Sequence, residues 1–207
     1  MPTKKDAAMK KYYLLKIALI ELEPEVWRRF IVPADISFDR LHDIIQALMG
    51  WKDSHLHEFN FGNKRYVENI DEEFDGEEAA LESSERLNKH LKKQGDSCVY
   101  IYDFGDSWAH RITLENPEYS LKDDDCEICC LDGARACPPE DVGGPPGYED
   151  FCKVIKNTKS KKHAAMAAWS KGSQPGGQTF DPEYFDLDAV NETLGWFVRW
   201  SRPRKLV

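Results

Sequence analysis

Apolar residues recur along this chain with two different periods, and the switches between them mark its elements. Tyr12 to Leu22 and Val26 to Val32 (VWRRFIV) are short runs rich in β-branched and aromatic residues. They predict two strands, with Pro24 turning the chain between them into an antiparallel hairpin. Beyond Ser37 the period lengthens. Phe38, Leu41, Ile44, Ile45 and Leu48 fall on one helical stripe, which Ser37 caps and Gly50 stops. Alternation returns at Leu56 to Phe61 and Lys64 to Val67, a hairpin around Gly62-Asn63. Leu87 to Lys93 reads as a short helix ending at Gly95, and Val99 to Phe104 with Trp108 to Glu115 as a third hairpin around Gly105-Asp106.

Residues 116 to 149 follow neither period and are expected to form one long ordered loop, a kind that is usually functional or mobile. Helices are predicted again at Tyr148 to Asn157, His163 to Lys171 and Leu187 to Trp200. The order β-β-α-β-β-α-β-β followed by helices predicts an α+β fold, a mainly antiparallel sheet with helices packed on one face. With no internal repeat and no linker, the 207 residues are expected to form a single domain.

Charge changes this picture at one place. Residues 68 to 85 hold nine acids and no Lys or Arg, and outside them 28 acids face 28 bases. The formal net charge of −9 therefore belongs to one segment, expected to be a solvated insertion. It disfavours broad attraction to nucleic acid. The opening MKKYYLLKIALI imitates a signal peptide, but Lys16 interrupts the run, Glu21 and Glu23 follow, and no small-residue cleavage site appears. With nothing approaching a membrane span, the expectation is a cytoplasmic protein whose six cysteines are reduced or metal-bound.

Six stretches carry a resemblance: EPEVWRRFIVP, SFDRLHDIIQALMGW, HLHEF, YIYDFGDSWAH, DGARACPPEDVGG and FDPEYFDLDAVN. Together they resemble the plasmid pRi ORF-3-like family, which also carries a transposon-passenger, resolvase-like label. The resemblance covers the chain from about residue 13 to about 194, implies an α+β fold and implies no particular activity. Where many members carry a cysteine this chain has Val142. The resolvase label does not fit the residues: Arg28 and Arg29 are adjacent in a strand and point to opposite faces, a poor clamp for phosphoryl transfer. No helix-turn-helix pattern appears.

Three groups could carry chemistry. Cys126, Cys129, Cys130 and Cys137 include a C-x-x-C spacing suited to a structural zinc, with Cys152 or His110 as a further ligand. The alternative is a set of free thiols. His55 and His57 share a strand face, and His110 lies on an apolar face of the next hairpin; they either converge on a metal or serve as hydrogen-bonded core histidines. Asp103 and Asp106 flank Gly105, and Glu140-Asp141 sits between Pro138-Pro139 and Gly143-Gly144. Such acids serve turns and helix caps, or form a preorganised site. The DFG triplet lacks the other kinase motifs. Lysines 153, 156, 159, 161, 162 and 171 have no interleaved aromatic platform and read as a solvated helix face.

The leading expectation is an interaction module with a protein partner, carrying a structural metal in the 126 to 137 loop. The alternative is a metal-dependent hydrolase with His55, His57, Asp103 and His110 near the ion and Glu140 or Asp141 as general base. A weaker alternative is a DNA-associated accessory protein of mobile elements.

Overall fold

In a computed structural model, residues 10–71, 78–122, 126–174 and 177–200 are described, with side chains to 196. Eight strands form one sheet: β1 (Tyr12–Leu19), β2 (Trp27–Pro33), β3 (His57–Phe61), β4 (Lys64–Val67), β5 (Ala79–Leu81), β6 (Ser97–Tyr102), β7 (Trp108–Tyr119) and β8 (Cys129–Ala134). Their spatial order is β5-β4-β3-β6-β7-β1-β2-β8, antiparallel throughout except for the β4–β5 pair. The helices are α1 (Phe38–Met49), α2 (Gly144–Lys156), α3 (His163–Trp169) and α4 (Leu187–Trp200). This is the α+β fold the periodicity predicts.

Strand register decides which residues meet the helices. Leu15 pairs with Phe30, Ile17 with Arg28 and with Ile112, and Tyr100 with both Phe59 and His110. Paired residues project to one face, so Leu15, Phe30, Ile17, Ile112, Phe59 and Tyr100 join one core with α1, whose Phe38, Leu41, Ile44 and Ile45 are fully buried, while Arg28 and His110 are polar members of the same face. Among the described residues the opposite face carries a small cluster around Tyr12, Ile31 and Cys129.

Ser37 occupies the N-cap of α1 in extended geometry, but its side chain makes no capping hydrogen bond. Gly50 ends the helix at φ 85°, and Gly50 N–H and Trp51 N–H both donate to the Gln46 carbonyl. A left-handed residue at that position suits glycine, and it turns the chain sharply toward residues 51–55.

The expected loop from 116 to 149 differs. β7 runs on to Tyr119, β8 pairs with β2 as the sheet edge, and α2 begins at Gly144. β8 is short, contains Asp132 and Gly133, and pairs across a register shift between Arg29 and Phe30, so no alternation announces it. The expected helix at 87 to 93 is a single 3-10 turn at Leu87–Lys89. The expected solvated insertion is partly built in: β5 pairs with β4, and Glu82 is buried; residues 72–77 lie outside the described residues.

Candidate metal centre and adjoining cleft

Three turns converge at one end of the sheet. The first follows α1. Trp51 Nε1–H donates to the Pro138 carbonyl (3.1 Å), Asp53 N–H to Gln46 Oε1 (2.9 Å) and Ser54 N–H to the Tyr102 hydroxyl (3.0 Å). Asp53 adopts φ 53°, a left-handed backbone that Asp tolerates better than most residues, and its carboxylate meets His42 Nε2 at 2.9 Å. These bonds place His55 just ahead of β3.

The second turn joins β6 to β7. Asp103 sits at φ 58°, and its Oδ1 accepts from Gly105 N–H (2.9 Å) and Asp106 N–H (3.2 Å). One carboxylate oxygen thus serves the turn, and the other, Oδ2, lies 3.7 Å from His55 Nε2.

The third is the PPED loop. It is locked to the second turn: Asp106 Oδ2 accepts from Gly143 N–H at 3.0 Å, and a Cβ on Gly144 would lie 2.6 Å from the Asp106 carbonyl oxygen. Gly144, at φ 66°, is therefore required both for its backbone and for close approach. Glu140 accepts from Lys52 N–H (2.9 Å) and the Tyr102 hydroxyl (3.1 Å), partners outside its own loop. Asp141, at φ 56°, has His55 as its partner. Neither acid caps α2, whose N-cap is Gly143.

His55 stands at the meeting point. Its Nε2 lies 3.3 Å from Asp141 Oδ1, 3.6 Å from Glu140 Oε2 and 3.7 Å from Asp103 Oδ2, yet it is buried without a hydrogen bond. Ligand atoms of His55, Asp103 and Asp141 all lie within 4.8 Å of one another, a grouping that could hold a metal ion. Three of the four acids and imidazoles gathered here, Asp103, Glu140 and Asp141, come from segments the sequence marks as turns. Burial raises the Tyr102 pKa, opposed by the bond from Ser54 and reinforced by Glu140. Its hydroxyl therefore stays protonated and acts as a fixed donor.

The other histidines go elsewhere. His57 and His110 share the helix-facing side of the sheet but do not join His55. His57 stacks on His42 and meets buried Glu82 at 2.8 Å. His42, Asp53 and His57 also bring ligand atoms within 4.8 Å. However, parallel stacked rings aim their lone pairs side by side, not at a common point, and His42 uses both nitrogens, on Tyr100 and Asp53. That group is a support for the 51–55 turn. His110 is fully buried in β7, with Nδ1 3.3 Å from the Tyr100 carbonyl.

The cysteines do not gather. Cys129 and Cys130 are neighbours in β8 and face opposite sides: Cys129 packs with Tyr12 and Ile31, Cys130 and Cys137 with the main core, while Cys126 is exposed. Burial pushes the Cys130 thiol up to about 11 and the Cys137 thiol well above its ordinary value. Among the described residues, no cysteine enters either ligand group. Cys152, offered as a fourth ligand, lies half-buried on α2.

Beside the carboxylates opens a cleft of about 310 Å³, walled by the end of α1, the PPED loop and the segment entering α4. Glu140 and Asp141 line it on one side and face His55 on the other.

The fold and site define an α+β protein with a His–carboxylate centre at one end of an antiparallel sheet. The chain belongs to the plasmid pRiA4b ORF-3-like family, whose model matches residues 11–189. It is similar to the uncharacterized protein y4hQ of Sinorhizobium fredii, 33% identical over 192 residues, which cover 92% of this chain and 95% of that protein. It is also similar to the crystal structure of a protein of unknown function, MM3350 from Methanosarcina mazei Go1. That match has a TM-score of 0.73 at 33% identity, covering 86% of this chain and 97% of the other. No described helix is long and apolar enough to cross a membrane.

Proposed function

We propose that this protein is a metal-dependent binding module, holding a divalent transition-metal ion with His55, Asp103, Glu140 and Asp141. The observation that carries the reading is the buried, unbonded His55 Nε2 facing three carboxylates at 3.3 to 3.7 Å. Bonds of about 2.0–2.2 Å to a tetrahedral ion put neighbouring ligand atoms roughly 3.4 Å apart. The distances from His55 to each carboxylate fit that spacing; His55, Asp103 and Asp141 already bring ligand atoms within 4.8 Å of one another, and Glu140, outside that group, completes the set by turning its side chain toward it. One imidazole and three carboxylates favour zinc or manganese over a thiolate-selective metal. Left-handed backbone at both Asp103 and Asp141 supports the same reading, since strain of this kind gathers at ligand sites.

A second reading, metal-dependent hydrolysis, is favoured by the cleft that shares Glu140 and Asp141 with the centre. Hydrolysis needs an open coordination position and a base for water. One of the two acids then serves as base and leaves the metal to the other three ligands.

The test is calorimetric titration of metal-stripped protein with zinc and with manganese. About one equivalent is expected to bind, and His55→Ala is expected to abolish binding while the melting temperature holds. Undiminished binding in His55→Ala would remove the reading.

A further inference from the structure

Glu140 and Asp141 are adjacent in the chain but are held in different ways. Glu140 Oε1 accepts from Lys52 N–H (2.9 Å) and from the Tyr102 hydroxyl (3.1 Å). Its Oε2 lies 3.4 Å from the same hydroxyl and 3.6 Å from His55 Nε2. One oxygen is an anchor, and the other faces the centre. Asp141 has His55 at 3.3 Å, and its ligand atom joins those of His55 and Asp103 within 4.8 Å, a grouping that leaves Glu140 outside. One imidazole and two carboxylates make three ligands, the number that catalytic zinc sites use while keeping a position open. A carboxylate anchored beside such a position, with its second oxygen facing the centre, suits a general base.

The cleft beside these acids is lined by two cations, Arg28 and Lys52, and by three carboxylates, Glu140, Asp141 and Asp186. Arg28 is 3% exposed and its guanidinium donates to four backbone carbonyls, so it serves the fold. With Asp103 and a divalent ion counted in, four positive charges face four carboxylates. Centre and cleft together then carry no net charge, and neither an anionic nor a cationic substrate gains from their field. Trp169, 48% exposed, and Phe185 add flat apolar surface. The volume of about 310 Å³, at the lower end of the range for ligand pockets, suits a single-ring compound.

We propose that Glu140 is the general base of a hydrolytic centre whose substrate is an uncharged carboxylic ester or amide carrying one aromatic ring. The inference rests on the second reading above, hydrolysis at a metal held by His55, Asp103 and Asp141. Glu140 Oε2 takes a proton from water, and the water oxygen bonds to the carbonyl carbon of the substrate. The bond from that carbon to the leaving oxygen or nitrogen then breaks, and Glu140 passes the proton to the leaving group. The ion, when bound, polarises the carbonyl. Lys52 N–H and the Tyr102 hydroxyl keep the carboxylate in place through both transfers. The ring of the substrate lies against Trp169 and Phe185.

The test follows product release from phenyl acetate and acetanilide by the zinc-loaded full chain, beside calorimetric titration of the same protein with zinc. Zinc-dependent hydrolysis of at least one of the two is expected. Acetoxybenzoate and acetoxyphenyl-trimethylammonium, an anionic and a cationic ester, are expected to react less well once corrected for their uncatalysed rates. Glu140→Gln keeps a carbonyl oxygen for Lys52 N–H and Tyr102 but removes the base. It is expected to lower kcat by roughly a hundredfold or more with zinc affinity unchanged. Trp169→Ala is expected to raise KM several-fold, on the order of one lost apolar contact. Undiminished kcat in Glu140→Gln, or loss of zinc from that variant, would remove Glu140 as the base. Hydrolysis of neither neutral substrate, or preference for a charged ester, would overturn the substrate class. Zinc binding without hydrolysis fails this inference alone, whereas no zinc binding by the unmodified protein fails the metal reading beneath it.

Discussion

His42 and His57 lie face to face with ring centroids 3.4 Å apart and planes 7° from parallel. One ring comes from α1 and the other from β3, and together they close the space under the 51–55 turn. His42 holds that turn through Asp53, and the turn carries His55, so the stacked pair is a foundation for the candidate metal centre.

Acid should weaken the fold. Burial, then the neighbouring His57, hold His42 down to about 4 against the pull of Asp53, and burial holds His110 to about 4. Both unfold to a value near 6.5, so the unfolded chain binds more protons between about pH 6.5 and 4. Stability from these two groups is present above that window and is lost as pH falls through it. Asp43 works the other way: burial raises it to about 6, so its contribution grows as pH falls from 6 toward 4. Two groups outweigh one. Melting temperature is expected to drop on acidification from pH 6.5 to 4, and His110→Phe should flatten the drop. An unchanged profile in His110→Phe would remove His110 from the account.

The locking of the PPED loop on the β6–β7 turn predicts a contrast between two glycines. Gly144→Ala meets the Asp106 carbonyl at 2.6 Å with φ 66°, whereas Gly62→Ala, at φ 67°, meets nothing within 4 Å. Gly62→Ala is expected to cost about 1 kcal/mol for the backbone alone, and Gly144→Ala clearly more, since the loop must also move. Chemical denaturation of both variants measures the difference. Equal losses would mean that the loop is not held there.

The supporting role of His42 predicts a graded effect. His42→Ala should lower metal affinity by roughly tenfold, the cost of one lost positioning hydrogen bond. His42→Gln, which keeps a polar group near Asp53 or Tyr100, should recover part of it. If both variants lose metal equally and melt early, His42 serves the fold alone.

Cysteine substitution separates the two metal sites considered. With Cys129 and Cys130 on opposite faces of β8, Cys126→Ser is expected to leave metal content unchanged, and Asp141→Asn to lower it. Elemental analysis of the purified variants reads this directly, and loss of metal in Cys126→Ser would return the site to the cysteines.

Sequence by itself determined the elements whose residues repeat with a period. The stripe from Phe38 to Leu48 and the alternating runs at Tyr12–Leu19, His57–Phe61 and Trp108–Leu114 are visible because burial of one face is a local pattern. The acids of DFGD and PPED could be named, and so could His55, but their meeting could not. It depends on the register of β3, β6 and β7 and on a 38-residue separation between Tyr102 and Glu140, which leaves no period to read. β8 escaped for a related reason: its partner β2 lies far earlier in the chain and holds it across a register shift. Tertiary structure alone divided three histidines among three environments and turned two adjacent cysteines away from each other. Neighbours in sequence share a site only when the pleat and the pairing point them to one side.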